Sequence, residues 1–228
     1  MADTRTLLEK HHGGAHFHDL MVETSRGRFS PEFWRFWDAH AAPILPARPR
    51  LLDLGTGPGL LLDAWAERYP GGEFIGVDVM PYMLDNARRR FAEQPAVRLL
   101  AADLHDPQLP LAAGSVDAAS CVVVFHEMVQ PIRLLQRLHG WLKPGGRLIL
   151  VDWVRAGIRD YFDPVTVEAL FRPNAAPDLL ADRMTHFFEH NRYSPDDIAW
   201  LLEHTGFRVL GQETYHEARF VRMAAERA

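Results

Sequence analysis

Residues 51–59 read Leu51-Leu52-Asp53-Leu54-Gly55-Thr56-Gly57-Pro58-Gly59. An apolar run ending in glycines predicts a buried parallel strand whose carboxyl end turns sharply into a helix, the place where open α/β sheets hold nucleotide-like ligands. A dinucleotide-binding turn of this kind carries its third glycine one position later, where Leu60 stands. The spacing Gly55-x-Gly57-x-Gly59, with Asp53 two residues before it, therefore points away from NAD.

Outward from this turn the chain alternates β-rich runs with longer periodic segments, the pattern of βαβ units in a parallel sheet. The runs are 50–54, 73–77, 96–101, 116–124 and 146–152. Helices are expected at 60–69, from Pro81 to about 92, and from Pro131 to about 141 with Leu134, Leu135, Leu138 and Leu142 on one face. The pattern loosens through 155–192. Ser194-Pro195-Asp196-Asp197 then supplies an N-cap, a proline at the first helical position and acids in the first turn. After Gly206, the segments 207–214 and 219–224 read as two strands pairing antiparallel at the sheet edge. Upstream, 31–44 places Phe33, Phe36, Trp37, His40 and Ile44 on one helical stripe, expected to pack on the core, with a homodimer face or a lid as the alternative use.

The chain's 228 residues suit one domain with an insertion, and 47% apolar with 24% charged residues is ordinary for a globular protein. A formal charge of -5 disfavours binding to phosphate backbones. Cys121, the sole cysteine, sits in an apolar run and reads as a small buried hydrophobe. No segment is long and apolar enough for a membrane span, and the first residues lack a secretory h-region, so a cytoplasmic protein is expected.

Asp78 falls at the end of the second strand, where a carboxylate can accept hydrogen bonds from both hydroxyls of a ribose. Helix capping is its alternative role. Asp53 can fix the turn or balance a ligand's cation, since a buried unpaired carboxylate is costly.

Taken in order, Leu51–Gly59, Gly76-Val77-Asp78, Ala102-Asp103 and Leu142-Lys143-Pro144-Gly145-Gly146 resemble the class I S-adenosylmethionine-dependent methyltransferases over about residues 50–225. The likeness is strongest to the small-molecule branch near the ubiquinone and menaquinone biosynthesis methyltransferases. It implies a doubly wound, mostly parallel, seven-strand Rossmann-like α/β sheet with an antiparallel C-terminal strand pair, an N-terminal helical cap or lid over 1–45 and a catalytic domain over 46–228. S-adenosylmethionine is the implied cofactor. Gly55, Gly57 and Gly59 would approach its methionine half, Asp53 its ammonium group and Asp78 its ribose. Val79, Met80 and Phe125 would line the same pocket, and Asp103 with the backbone of Leu104 would read the adenine.

In related enzymes the loop after the fourth strand lies near the reacting methyl, which nominates His126 as a base and Glu127 as its orienting partner. The insertion at 155–193 would build the acceptor pocket, with Phe187, Arg192 and Tyr193 facing a small-molecule substrate. His16 and His18, in the glycine-jointed segment His11–Asp19, are assigned to a lid over substrate, with no metal expected. Phe125-His126-Glu127-Met128 stands where exocyclic base-amine methyltransferases carry Asn-Pro-Pro-aromatic, so a nucleic-acid acceptor is disfavoured. A nucleotide-dependent oxidoreductase and a noncatalytic cofactor-binding regulatory protein are the competing readings, and N, O, S or C as the methylated atom stays open.

Overall fold

The computed structural model describes residues 21 and 23, then 27–228 apart from residue 106. His16 and His18 lie outside the described residues. Helix α1 (Pro31–His40) precedes β1 (Arg50–Leu54), α2 (Leu60–Arg68), β2 (Glu73–Asp78), α3 (Pro81–Arg90), β3 (Val97–Ala101), β4 (Val116–Val122), α4 (Ile132–Trp141) and β5 (Leu142–Trp153). Three helices follow, α5 (Ile158–Tyr161), α6 (Pro164–Leu170) and α7 (Pro177–His190), then α8 (Pro195–Glu203), β6 (Phe207–Tyr215) and β7 (Phe220–Arg227).

The seven strands form one sheet in the order β3-β2-β1-β4-β5-β7-β6, parallel from β3 through β5. Strand β7 runs antiparallel between β5 and β6. The doubly wound Rossmann-like architecture expected from the sequence is the one found. Alternating side chains of each inner strand feed two cores, as the two-residue period of a strand requires. Leu52, Ala119 and Leu150 pack with Leu134 and Leu138 of α4 and Ile198 and Leu202 of α8. Leu51, Ala118 and Ile149 face the other way, toward Trp37 of α1, Trp65 of α2 and Ala87 of α3.

The aromatic stripe of α1 is core. Phe33, Phe36 and Trp37 are buried, and the Trp37 indole donates to the Tyr69 hydroxyl at 2.7 Å. The helix stops at His40, with a separate 3-10 turn over Ala42–Ile44, four residues earlier than its apolar period suggests. Pro43 explains the break, because it lacks an amide hydrogen and its ring would clash with the carbonyl four residues back. Pro131 caps α4 from outside rather than opening it. In the loosened stretch, α6 and α7 contribute only His190 to the buried set, so the core fixes little of either helix.

Register decides what reaches the site. Asp53 stands opposite Gly76 on one side and Ser120 on the other, and Asp78 ends β2 beside Ala101. Val122 pairs with Val151, which brings the chain after β4 next to Asp152. Carboxylates and loops thus collect at the carboxyl edge, across the β1/β4 reversal of strand order where open sheets bind ligands.

Candidate active site

A cavity of about 790 Å³ opens at this edge, within the usual range of small-molecule sites. Its inner end is the glycine turn. Gly55, Gly57 and Gly59 have φ of 73°, 54° and 82°, a left-handed conformation that L side chains resist. Val77 O accepts from the amides of Gly55 and Thr56 at 2.8 and 2.9 Å, which clips the turn to β2. Gly57 borders the cavity, and a Cβ there would meet only the Met83 sulfur, at 4.0 Å. The bare backbone is a cradle. Gly59 does not border the cavity; its Cβ would strike the Phe91 ring, so it serves helix packing.

Asp53 forms part of the wall and is almost fully buried, accepting from the Ser120 hydroxyl at 2.5 Å. Burial pushes its carboxyl up to about 6, against the hydrogen bond of Ser120 and with a further push from Asp78. Such a carboxyl gains most from a cation placed beside it. Asp78 is fixed by two backbone amides, Gly57 on one oxygen and Met80 on the other, each at 2.8 Å. It therefore locks the turn to the start of α3 as well as facing the cavity. Val79, Met80, Asp103 and Leu104 line the same stretch, with Asp103 accepting from the His105 amide at 2.9 Å.

The other end is built by the chain leaving β4. Val123 has φ of 57°, an outlier for a β-branched residue, and is held there by its amide bond to Val151 O at 2.7 Å. The kink turns the amides of Val124, Phe125 and His126 onto one oxygen of Asp152, at 3.0, 2.5 and 3.2 Å. The other oxygen takes the Trp153 amide at 2.7 Å and meets His126 Nδ1 at 2.6 Å. Asp152 is wholly buried, and these donors are what make a carboxylate tolerable there.

His126 Nε2 lies 3.3 Å from Glu127 Oε1. Burial pulls this imidazole's pKa down, but Asp152 and Glu127 outweigh it and raise the value to about 10. Asp152 occupies Nδ1, which leaves Nε2 turned toward Glu127, and both residues border the cavity. His190 Nδ1 stands 3.5 Å from the same Glu127 oxygen. The His126 and His190 rings are 5.0 Å apart, the His186 ring lies tilted against that of His190 at 4.2 Å, and the Tyr161 hydroxyl meets His186 Nδ1 at 2.8 Å.

Besides Gly59, four residues named from sequence lie away from the cavity wall. Phe125 is buried in the core beneath the Tyr193 ring, and Phe187 packs on Tyr161, Phe162 and Phe188. Arg192 donates to the His126 carbonyl at 2.5 Å and Tyr193 to that of Met128 at 2.8 Å. Both brace the loop from behind instead of facing the cavity. Ser120, Asp152, Tyr161, His186 and His190 were not foreseen. The i, i+4 spacing of His186 and His190 on one helical face was the available signal.

A family model described as a methyltransferase domain matches residues 52–150. The chain is 34% identical over 188 residues to a demethylmenaquinone methyltransferase of Deinococcus radiodurans, covering 77% of this chain and 74% of that one. A 37.1 kDa transposon protein of Streptomyces fradiae shares 40% identity over 114 residues, 48% of this chain but about a third, 32%, of its own length. A solved S-adenosylmethionine-dependent methyltransferase from Aquifex aeolicus superimposes over 100% of both chains with a TM-score of 0.65 at 19% identity, a likeness of fold. With its 3-2-1-4-5-7-6 sheet, glycine cradle and carboxylate-lined cavity, the chain belongs to the class I S-adenosylmethionine-dependent methyltransferases.

Proposed function

We propose that the chain transfers the methyl group of S-adenosylmethionine to a small apolar or aromatic acceptor held between Glu127 and the wall of Trp153, Tyr161, Tyr215 and Phe220. The carrying observation is that one cavity joins the glycine cradle and three carboxylates at one end to an aromatic and histidine chamber at the other. The menaquinone-type relative supports a flat, apolar acceptor. The cofactor, when bound, supplies a methyl already activated by a sulfonium charge. The protein's share is to hold donor and acceptor in line in a dry cleft, an advantage of about 7–11 kcal/mol from proximity. Held by the glycine cradle with Asp53 and Asp78, the donor would give that methyl to a lone pair on the acceptor and be left as the neutral thioether. Glu127 takes the acceptor's proton and passes it to water. No described helix is long and apolar enough to cross a membrane, and the charge of -5 supports a small molecule over nucleic acid.

Calorimetry with S-adenosylmethionine, S-adenosylhomocysteine and NAD tests the donor half: the first two bind and NAD does not. Tight NAD binding alone would support the oxidoreductase reading. A cofactor that binds but yields no homocysteine derivative with any quinol, phenol or amine panel would support a regulatory protein.

The pH dependence of binding follows from Asp53. Its carboxyl ionises near 6 in the ligand-free chain, and the cofactor's ammonium group favours the ionised form. Affinity for S-adenosylhomocysteine is expected to rise about tenfold between pH 5 and 7, with a proton released on binding below pH 6. Stability of the free chain runs the opposite way. The unfolded carboxyl ionises near pH 4 and the folded one near 6, so this group's contribution falls as pH rises across that window. Asp53→Asn should flatten the binding profile, and a flat wild-type profile would remove Asp53 from the ammonium site.

A further inference from the structure

We propose that His126, Glu127 and His190 bind one divalent transition-metal ion of the zinc class at the acceptor end of the cavity. The inference rests on the acceptor-end assignment above and changes how that end acts. One ligand atom from each of the three residues lies within 4.8 Å of the others. They come from the 3-10 turn after β4 and the last residue of α7, which converge only in the folded chain.

Two distances carry the geometry. His126 Nε2 and His190 Nδ1 stand 3.3 and 3.5 Å from the same Glu127 oxygen. Ligands at about 2.0–2.1 Å from a tetrahedral ion sit roughly 3.3–3.4 Å from one another, close to these two distances, and the two histidine nitrogens, within 4.8 Å of each other, need only a small approach. The surroundings give a second, independent argument. A histidine that holds a metal commonly presents its far nitrogen to a carboxylate, which fixes the ring and aims the near nitrogen at the ion. Asp152 meets His126 Nδ1 at 2.6 Å and is itself locked by the amides of 124–126.

Two imidazoles and one carboxylate suit zinc, cobalt, nickel or ferrous iron rather than magnesium or calcium. Three protein ligands leave at least one position open, as catalytic sites do, and all three residues border the cavity. An acceptor hydroxyl, amine or thiol beside such an ion loses its proton to water more readily, which leaves the lone pair that the methyl carbon meets. The deprotonation assigned to Glu127 is then delivered through the ion it helps to hold. Atom balance is unchanged: acceptor and sulfonium donor give methylated acceptor, thioether and one proton.

The test uses full-length protein without an affinity tag, loaded with Co²⁺ and desalted. Wild type should keep about one ion per chain and show the visible band of tetrahedral cobalt. His190→Ala should lose the band and most of the metal, and Asp152→Asn should weaken retention about 10–100-fold. S-adenosylhomocysteine affinity in His190→Ala should stay within about twofold of wild type, because the donor end is untouched; this also certifies the fold. Wild type that retains no cobalt overturns the proposal. So does cobalt kept undiminished in His190→Ala, which would place the ion elsewhere, for instance on the histidines at 11–18. If S-adenosylhomocysteine fails to bind wild type while cobalt binds, the donor reading fails and the metal site stands.

Discussion

Replacing Asp152 by alanine should cost about 3–5 kcal/mol and lower the unfolding midpoint by roughly 6–20 °C. The expectation follows from what that carboxylate gathers. It is wholly buried at the end of β5, accepts from four backbone amides and faces the His126 ring at 2.6 Å. Removing it leaves those amides without their acceptor and the His126 ring without its buried partner, the situation in which breaking one half of a buried pair is most damaging. His126 should respond as well. Burial lowers its pKa while Asp152, and after it Glu127, raise it to about 10, so the value should fall when that carboxylate is removed. Thermal unfolding of Asp152→Ala and Asp152→Asn checks the first point, since Asn keeps an acceptor and should lose about half as much. A loss under about 1 kcal/mol in the alanine variant would mean that the 124–127 loop is held by something else, Arg192 and Tyr193 being the remaining braces.

The same residue shows why part of the site escaped the sequence. In Leu148-Ile149-Leu150-Val151-Asp152-Trp153, an acid at the end of an apolar strand looks like any other strand terminus. Its partners lie 26 to 28 residues earlier in the chain, and only the β4/β5 register makes them neighbours. Asp53, Asp78 and Asp103 were legible because each belongs to a local unit, a strand end followed at once by a turn, whose position at the carboxyl edge follows from the βαβ pattern alone. The inner strands were legible for a related reason. Buried on both faces, they read as uninterrupted apolar runs bounded by glycine, aspartate or proline, and β1 spans residues 50–54 as its sequence indicates. Arg192 and Tyr193 show the limit of residue type. A guanidinium or phenol near a cavity suits a substrate and a backbone carbonyl equally, and here carbonyls take both. For α7, the histidines at 186 and 190 fall on one face, yet the helix buries only His190, so its apolar pattern does not mark the face that turns inward.

Gly55→Ala is expected to weaken S-adenosylhomocysteine binding by at least about a hundredfold and to destabilise the chain by roughly 2–5 kcal/mol, for two separable reasons. The first is conformational. With φ of 73°, Gly55 occupies a region that costs an L residue about 1–2 kcal/mol. The second is steric, and it links the two ends of the cavity. A Cβ on Gly55 would stand 2.1 Å from Cγ2 of Val124. Val124 cannot simply rotate away, because it is β-branched, follows the strained Val123 and has its amide tied to Asp152. Relief must come from movement of the glycine turn or of the loop that carries His126 and Glu127. Either movement spoils the alignment of donor and acceptor, where about 1 Å of misplacement is worth some hundredfold in rate. The double variant Gly55→Ala/Val124→Ala separates the two costs. It should recover about 1–3 kcal/mol relative to the sum of the single changes, as contacting residues do, while the conformational penalty persists. Strict additivity would mean that the turn absorbs the extra carbon without touching Val124, and that the glycine is required for backbone conformation alone.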